Sequence, residues 1–268
     1  MVPTLPSIGV GTWQNTDPEQ CAESVRTALE VGYRHVDTAE HYGNERAVGE
    51  GLTRAAVPRE EVFLATKIHP VTGGLTYEEV LEEADASMNR LGVDYLDLLY
   101  VHWPVGDYEA TETLRAFDDL VEDGLVRNVG VSNFDIDLLD EARQALEAPL
   151  FAHQVELHPF LPQSRLRADA QTHDYTVVAY SPLARGEALD HPTIRDIAER
   201  HDTSPARVCL SWVTSHDNVV AIPKATSRQH LEDNLAASEL ELDEDDIASI
   251  DAIEQRKRFV ERDGAPWQ

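Results

Sequence analysis

Short apolar runs rich in β-branched residues recur along the chain. They alternate with longer segments in which apolar residues return at helical spacing. That alternation predicts βα units, with eight candidate strands beginning near Ile8, Tyr33, Val62, Tyr95, Arg127, Phe151, Thr176 and Asn218. Several are apolar throughout, as strands covered on both faces are. Helix boundaries are visible too. Asp17-Pro18 and Ser204-Pro205 each join a capping side chain to proline at the first helical position, and Gly32 stops the run that ends at Val31. A terminal amphipathic helix is expected from Leu242 to Phe259, with Leu242, Ile247, Ile250 and Ile253 at near-helical spacing against the body of the protein.

Eight parallel strands can form an open doubly wound sheet or close on themselves. Neither G-x-G-x-x-G nor G-x-x-x-x-G-K-[ST] occurs, so the phosphate-binding turns of open sheets are missing and a single (β/α)8 TIM barrel is preferred. The 268 residues suit it, since such barrels take roughly 250. No linker or low-complexity tract divides the chain, which predicts one domain over residues 1–268. A 42% hydrophobic share with four Trp, eight Tyr and six Phe can fill that core and excludes a disordered chain.

Fifty acidic against 22 basic residues leave a net charge of -28, which repels nucleic acid and anionic membrane surfaces. Only three of the basic residues are lysines, at 67, 224 and 257. Carboxylate excess with few lysines is expected of a salt-adapted, halophilic cytoplasmic protein, because about 1 M salt shortens the Debye length to roughly 3 Å and mutes self-repulsion. Cys21 and Cys209 stand far apart and in no metal spacing, so no disulfide framework and no metal site is expected. No run approaches 18 apolar residues, and Met1-Val2-Pro3-Thr4 has no basic start, so a cytoplasmic location is expected.

In a barrel of this kind chemistry sits where strands run into loops at their C-terminal ends. The second strand finishes Val36-Asp37-Thr38-Ala39 and leads to His41-Tyr42-Gly43-Asn44-Glu45. The third finishes Ala65-Thr66-Lys67, and the fourth Tyr100-Val101-His102-Trp103-Pro104. A lysine ending an apolar strand needs a carboxylate partner, and Asp37 is the obvious one. A Lys67 ammonium there is expected to favour loss of the Tyr42 proton, since a phenol near pKa 10 is a poor acid unless a cation helps. His102 could orient a carbonyl by hydrogen bonding. A lone Asp or His at such a place is more often a cap or a satisfied core group; the set on three successive strand ends is what points to carbonyl polarisation.

Taken with Gly9-Val10-Gly11-Thr12-Trp13, these motifs resemble the aldo-keto reductase family over nearly the whole chain, and Asp37, Tyr42, Lys67 and His102 look like its catalytic tetrad. The resemblance implies reduction of aldehydes or ketones with NADPH or NADH, without metal. Gly130-Val131-Ser132-Asn133-Phe134 and Gln154-Val155-Glu156 resemble the segments in which Ser132, Asn133 and Gln154 hold the nicotinamide carboxamide. Tyr180 resembles the aromatic stacked beneath the ring, with Ser181 and Leu183 beside the pyrophosphate. Ile222-Pro223-Lys224-Ala225-Thr226 resembles the adenosine-phosphate segment, and Asp233 and Asn234 match adenine-side positions. The pattern breaks at His230, where NADPH-preferring members usually carry arginine. A largely neutral imidazole cannot make the bidentate phosphate contact, so NADPH use with appreciable NADH use is expected, with Lys224 and Arg228 as the remaining cations.

Trp13, His69 and Trp103 look like substrate positions suited to a small aldehyde, ketone or dicarbonyl. The segment after the last charged cluster, Asp263 to Gln268, is brief, from which an open, permissive pocket is expected. The brief N-terminus likewise suggests that the hairpin closing the barrel floor in this family is reduced or missing, and family habit points to a monomer. Two other readings compete. A class I aldolase would use Lys67 as a Schiff base, and a nucleotide-sensing subunit would keep the fold and bind NADP(H) without turnover.

Overall fold

The computed structural model describes residues 5–267. Residues 1–4, on which the expectation about the floor hairpin partly falls, and Gln268 lie outside the described residues.

Eight parallel strands pair in chain order: β1 (Val10–Gly11), β2 (His35–Asp37), β3 (Phe63–Ile68), β4 (Leu98–Val101), β5 (Val129–Ser132), β6 (Leu150–Glu156), β7 (Thr176–Tyr180) and β8 (Val219–Ala221). Ile8 bridges Ala221 in parallel, the Gly9 N–H donates to the Ala221 carbonyl at 2.8 Å, and the Gly11 N–H reaches the Pro223 carbonyl at 3.1 Å, which closes the sheet into a barrel. Expected strand starts and observed ones agree within three residues. The largest offset is at β4, where Leu96 makes only an isolated bridge and the Asp97 carboxylate takes the Leu64 N–H at 3.0 Å.

Ten α-helices surround the strands among the described residues: α1 (Pro18–Val31), α2 (Glu45–Arg54), α3 (Tyr77–Leu91), α4 (Ala110–Glu122), α5 (Ile136–Ala145), α6 (Ser164–His173), α7 (Pro192–Arg200), α8 (Pro205–Thr214), α9 (Arg228–Leu235) and α10 (Glu244–Asp251). The predicted caps form. Asp17 accepts from the Gln20 N–H, Ser204 from the Arg207 N–H, and Gly32 ends α1 at φ 116°, a conformation costly for a residue with a Cβ.

Strand side chains alternate between the lumen and the helical shell. The lumen is filled by a separate apolar cluster that includes Phe63, Leu98, Tyr100, Ala152, Val178 and Val220. Gly130 on β5 makes room for the Tyr100 ring, since a Cβ there would lie 2.5 Å from it. The barrel is therefore a packed core, and only its mouth is free for chemistry.

The expected long terminal helix is a correction. Helix α10 ends at Asp251, residues 253–262 form no regular secondary structure, and Val260, Glu261 and Arg262 line the mouth. Three main-chain N–H groups that a helix would have used internally are taken by the barrel. Lys257 donates to the Phe160 carbonyl at 3.1 Å, and Phe259 and Val260 donate to the buried Glu156 carboxylate at 2.7 and 3.0 Å. Residues 254–258 are all charged or polar and have no apolar face to bury.

Candidate active site

Strand β2 turns Asp37 into the top of the lumen, and β3 turns Lys67 toward it. Both are buried, with side-chain exposures of 2% and 0%. The Lys67 ammonium donates to Asp37 Oδ1 at 2.5 Å and to the Thr38 carbonyl at 2.6 Å. The second carboxylate oxygen accepts from Gln154 Nε2 at 2.8 Å, so every strong partner of the pair is a fixed protein group. Burial pushes the Asp37 carboxyl up and the Lys67 ammonium down, and each charge holds the other in place. Lys67 is not part of the cavity wall. A Schiff base would require it to leave both partners, which weighs against the aldolase reading.

Tyr42 stands on a 3-10 turn, Glu40–Tyr42, that ends at Gly43 with φ 67°. A buried polar lattice fixes this loop. Thr12 Oγ1 donates to Thr38 Oγ1 at 2.9 Å, Thr38 Oγ1 to Asn44 Oδ1 at 3.0 Å, and Asn44 Nδ2 to the Thr12 carbonyl at 2.9 Å. The Tyr42 ring lies edge-to-face with His102, centroids 5.7 Å apart, and the Lys67 ammonium sits 5.3 Å from its centroid. No hydrogen bond joins Lys67 to the Tyr42 hydroxyl among the described residues; the ammonium acts on this phenol across 5.3 Å. Burial, followed by the charge of Asp37, holds the Tyr42 phenol well above its ordinary value, so it keeps its proton.

The His102 imidazole is held well below its usual value by burial first and the Lys67 charge second, so it is neutral near pH 7. Its Nδ1 is buried without a partner, and the ring lines the cavity.

The cavity encloses about 300 Å³. Of the residues that sequence reasoning singled out, it gathers Asp37, Tyr42, His102, Ser132, Asn133, Gln154, Tyr180, Ser181 and Lys224 with Trp13, His69 and Trp103. The amide wall is satisfied within itself: Ser132 Oγ donates to the Gln154 carbonyl at 2.9 Å, Asn133 Nδ2 to the His102 carbonyl at 3.1 Å, and the Tyr180 hydroxyl to Asn133 Oδ1 at 2.8 Å. Asn133 and Ser181 hold φ of 65° and 50°, left-handed values that are uncommon outside glycine.

The remaining residues lie off the cavity wall. Leu183 packs on the core, Ala225 is buried, Thr226 is half-buried, and His230 is exposed on the first turn of α9. Asp233 is engaged by Arg207 at 2.8 Å and Ser204 at 2.6 Å, and Asn234 is buried. Arg228, a spare cation in the sequence, is paired with Glu30 at 3.0 Å and Glu232 at 3.4 Å.

Sequence reasoning missed His41, whose ring stacks on His69 with centroids 3.9 Å apart, and the tail residues Val260, Glu261 and Arg262. The brief tail, from which an open pocket is expected, lines part of the mouth. No periodic pattern marks this segment; the one available signal was the apolar pair Phe259-Val260 set in a charged run.

A closed parallel barrel whose mouth joins a buried carboxylate–ammonium pair, a protonated tyrosine, a neutral histidine and an amide-lined wall defines a nicotinamide-dependent oxidoreductase. The chain matches the Aldo/keto reductase family over residues 7–255 and belongs to that family. An aldo-keto reductase of Mycobacterium sp. (strain JLS) is 40% identical over 257 residues, 96% of this chain and 92% of the relative. The glyoxal reductase of Bacillus subtilis (strain 168) is 37% identical over 254 residues, 95% of this chain and 91% of its own. Among solved structures, MGS-M4, an aldo-keto reductase enzyme from a Medee basin deep-sea metagenome library, superimposes with a TM-score of 0.91 at 34% identity, covering 97% of this chain and 95% of the other.

Proposed function

We propose that this protein reduces small aldehydes, ketones or dicarbonyls to alcohols with NADPH or NADH, with Tyr42 as the general acid. The observation that carries this reading is the convergence of Asp37, Tyr42 and His102 on one cavity that also holds the amides of Asn133 and Gln154, with Lys67 paired to Asp37 behind the wall. The naming of a close relative as a glyoxal reductase supports a small carbonyl substrate.

The donor set fits a nicotinamide. Asn133 Oδ1 keeps one lone pair and Gln154 its side-chain oxygen to accept from a carboxamide, Ser132 Oγ lies beside them, and the ring of Tyr180 supplies an aromatic face. Gln154 has its amino group on Asp37, so its carbonyl oxygen is the free end for the ligand. When bound, the cofactor supplies hydride to the carbonyl carbon. The carbonyl oxygen lies between Tyr42 and His102 and accepts a hydrogen bond from each. As negative charge develops there, Tyr42 releases its proton to it. Lys67, 5.3 Å from that ring, stabilises the phenolate as it forms, while Asp37 holds the ammonium charged. His102 is neutral and donates without competing for the proton.

Ser181 and Leu183 are assigned to the pyrophosphate side, Lys224, Ala225, Thr226 and His230 to the adenosine phosphate, and Asp233 and Asn234 to the adenine. Lys224 is exposed and forms no ion pair among the described residues, whereas Arg228 is held by two glutamates. That leaves one free cation for a 2′-phosphate and supports NADPH preference with substantial NADH use. The single-domain, cytoplasmic and monomeric character and the salt-adapted surface belong to the same proposal.

NADPH oxidation with a panel of aldehydes, in low and in molar KCl, tests it. Tyr42→Phe is expected to lower kcat by at least about a hundredfold while cofactor affinity changes little; a variant with near wild-type kcat would remove the acid assignment. A kcat/KM ratio for NADPH over NADH above about a thousandfold, or roughly 4 kcal/mol, would overturn the dual-cofactor reading.

A further inference from the structure

The cavity wall carries two cations that no carboxylate neutralises among the described residues, Lys224 at the cofactor side and Arg262 on the tail. Arg262 is set apart from the other arginines by lining this cavity without a carboxylate partner. Arg262 is part-buried, its guanidinium 5.2 Å from the Trp103 ring centroid and its Nη1 2.5 Å from His69 Nε2. Burial alone lowers its pKa.

The contact with His69 can satisfy at most one of its five N–H groups. The Val71 N–H already donates to His69 Nδ1 at 3.2 Å, and both the backbone amide and the guanidinium are permanent donors. A neutral imidazole has one nitrogen able to accept and one that carries hydrogen, so one of these two contacts faces donor to donor. Protonation of the ring would worsen both, and His69 is pulled down to about 3 by burial first and the neighbouring His41 next. The other guanidinium N–H groups meet no protein acceptor among the described residues, and an oxyanion would provide one.

The position is also built. Phe259 and Val260 donate their N–H groups to Glu156, itself held by His158 Nε2 at 2.9 Å, so the tail is fastened two residues before Arg262. Trp103 packs against both Arg262 and Trp267, the latter at 5.5 Å between centroids. One imidazole, His69, separates the guanidinium from His102, with the His69 and His102 ring centroids 5.2 Å apart. Glu261 also lines the cavity, but it is exposed and makes no ion pair with Arg262.

We propose that Arg262 is a specificity residue that receives the carboxylate of a small oxo acid or carboxy-aldehyde whose carbonyl lies between Tyr42 and His102. The proposal rests on the reductase reading of that site. The separation suits a carboxylate a few atoms from the carbonyl, as on opposite sides of one aromatic ring.

The test compares 4-carboxybenzaldehyde with its neutral isostere methyl 4-formylbenzoate at saturating NADPH and fixed low KCl. The wild type is expected to favour the acid at least tenfold in kcat/KM. Arg262→Gln should abolish that preference mainly through the KM of the acid, and Arg262→Lys, which keeps a charge but not the fork, should retain part of it. A wild type indifferent to the carboxylate, or an Arg262→Gln variant with an unchanged ratio, overturns the proposal. Titration of 4-(hydroxymethyl)benzoate by tryptophan fluorescence gives a second readout without turnover, in which Arg262→Gln should weaken binding at least tenfold. If neither aldehyde oxidises NADPH, the reductase reading falls and this titration alone decides the role of Arg262.

Discussion

The floor and the mouth of the barrel handle buried polarity in opposite ways, and strand β2 shows both. His35 and Asp37 stand two residues apart and point the same way. His35 lies among the apolar layers against Phe63, ring centroids 5.6 Å apart, with both ring nitrogens buried and unpartnered. It tolerates that place by staying neutral, its pKa pulled down to about 3 by burial and then by Lys67. Asp37, one layer higher, keeps a charge and is held by Lys67 and Gln154. A group that discards its charge needs only space, whereas one that keeps it needs a partner of fixed geometry. The buried charges of the mouth, Asp37 and Lys67, persist because each has such a partner.

Removing a partner should therefore cost far more at the mouth than altering the floor. Lys67→Met leaves Asp37 as an uncompensated buried carboxylate, and urea unfolding at pH 7 is expected to show a loss of about 3–5 kcal/mol together with most of the turnover. His35→Leu, which removes no charge, should change stability by less than about 1.5 kcal/mol and preserve cofactor binding. Equal losses in the two variants would abolish the distinction.

The floor is instead sensitive to volume. A Cβ on Gly9 would lie 2.4 Å from His35 Nδ1, so Gly9→Ala is expected to cost about 1–3 kcal/mol. A His35→Ala background should relieve part of that cost, and additive losses in the double variant would show that the two sites do not touch.

The smallest effect is read as a slope. His35, His102 and His153 are depressed by burial and stay neutral in the folded chain, while in the unfolded chain they take up protons below about pH 6.5. The unfolded state then binds more protons, so stability is greatest above pH 6.5 and declines as pH falls toward 4.5, by up to about 1.4 kcal/mol per pH unit for each histidine. Urea midpoints measured over this window should fall less steeply in His35→Leu than in the wild type. The comparison cancels the opposite contribution of Asp37, whose raised carboxyl is common to both.

Much of this was legible in the sequence because it is local. Strand starts follow apolar runs, caps follow Asp17-Pro18 and Ser204-Pro205, and the polar residues closing three successive strands mark the mouth. The Gln154–Asp37 bond, the fastening of Phe259 and Val260 to Glu156, and the arrival of Arg262 beside His69 were not legible. Their partners lie 103 to 193 residues apart in the chain, and no spacing rule links them. The apolar positions between Leu242 and Phe259 suggested one long helix because periodicity registers which side chains are apolar, and not which backbone groups find acceptors elsewhere.

The order of residues by itself determined a βα alternation, a family and the identity of four groups at the strand ends, since each depends on side-chain pattern within a few residues. Closure of the barrel decided the rest. It set which carboxylate neutralises Lys67, which amide turns toward Asp37, and which cation on the returning tail is left at the cavity without a carboxylate partner. A charge's protonation and use depend on atoms within a few ångströms, and those neighbours exist only once distant segments have packed together.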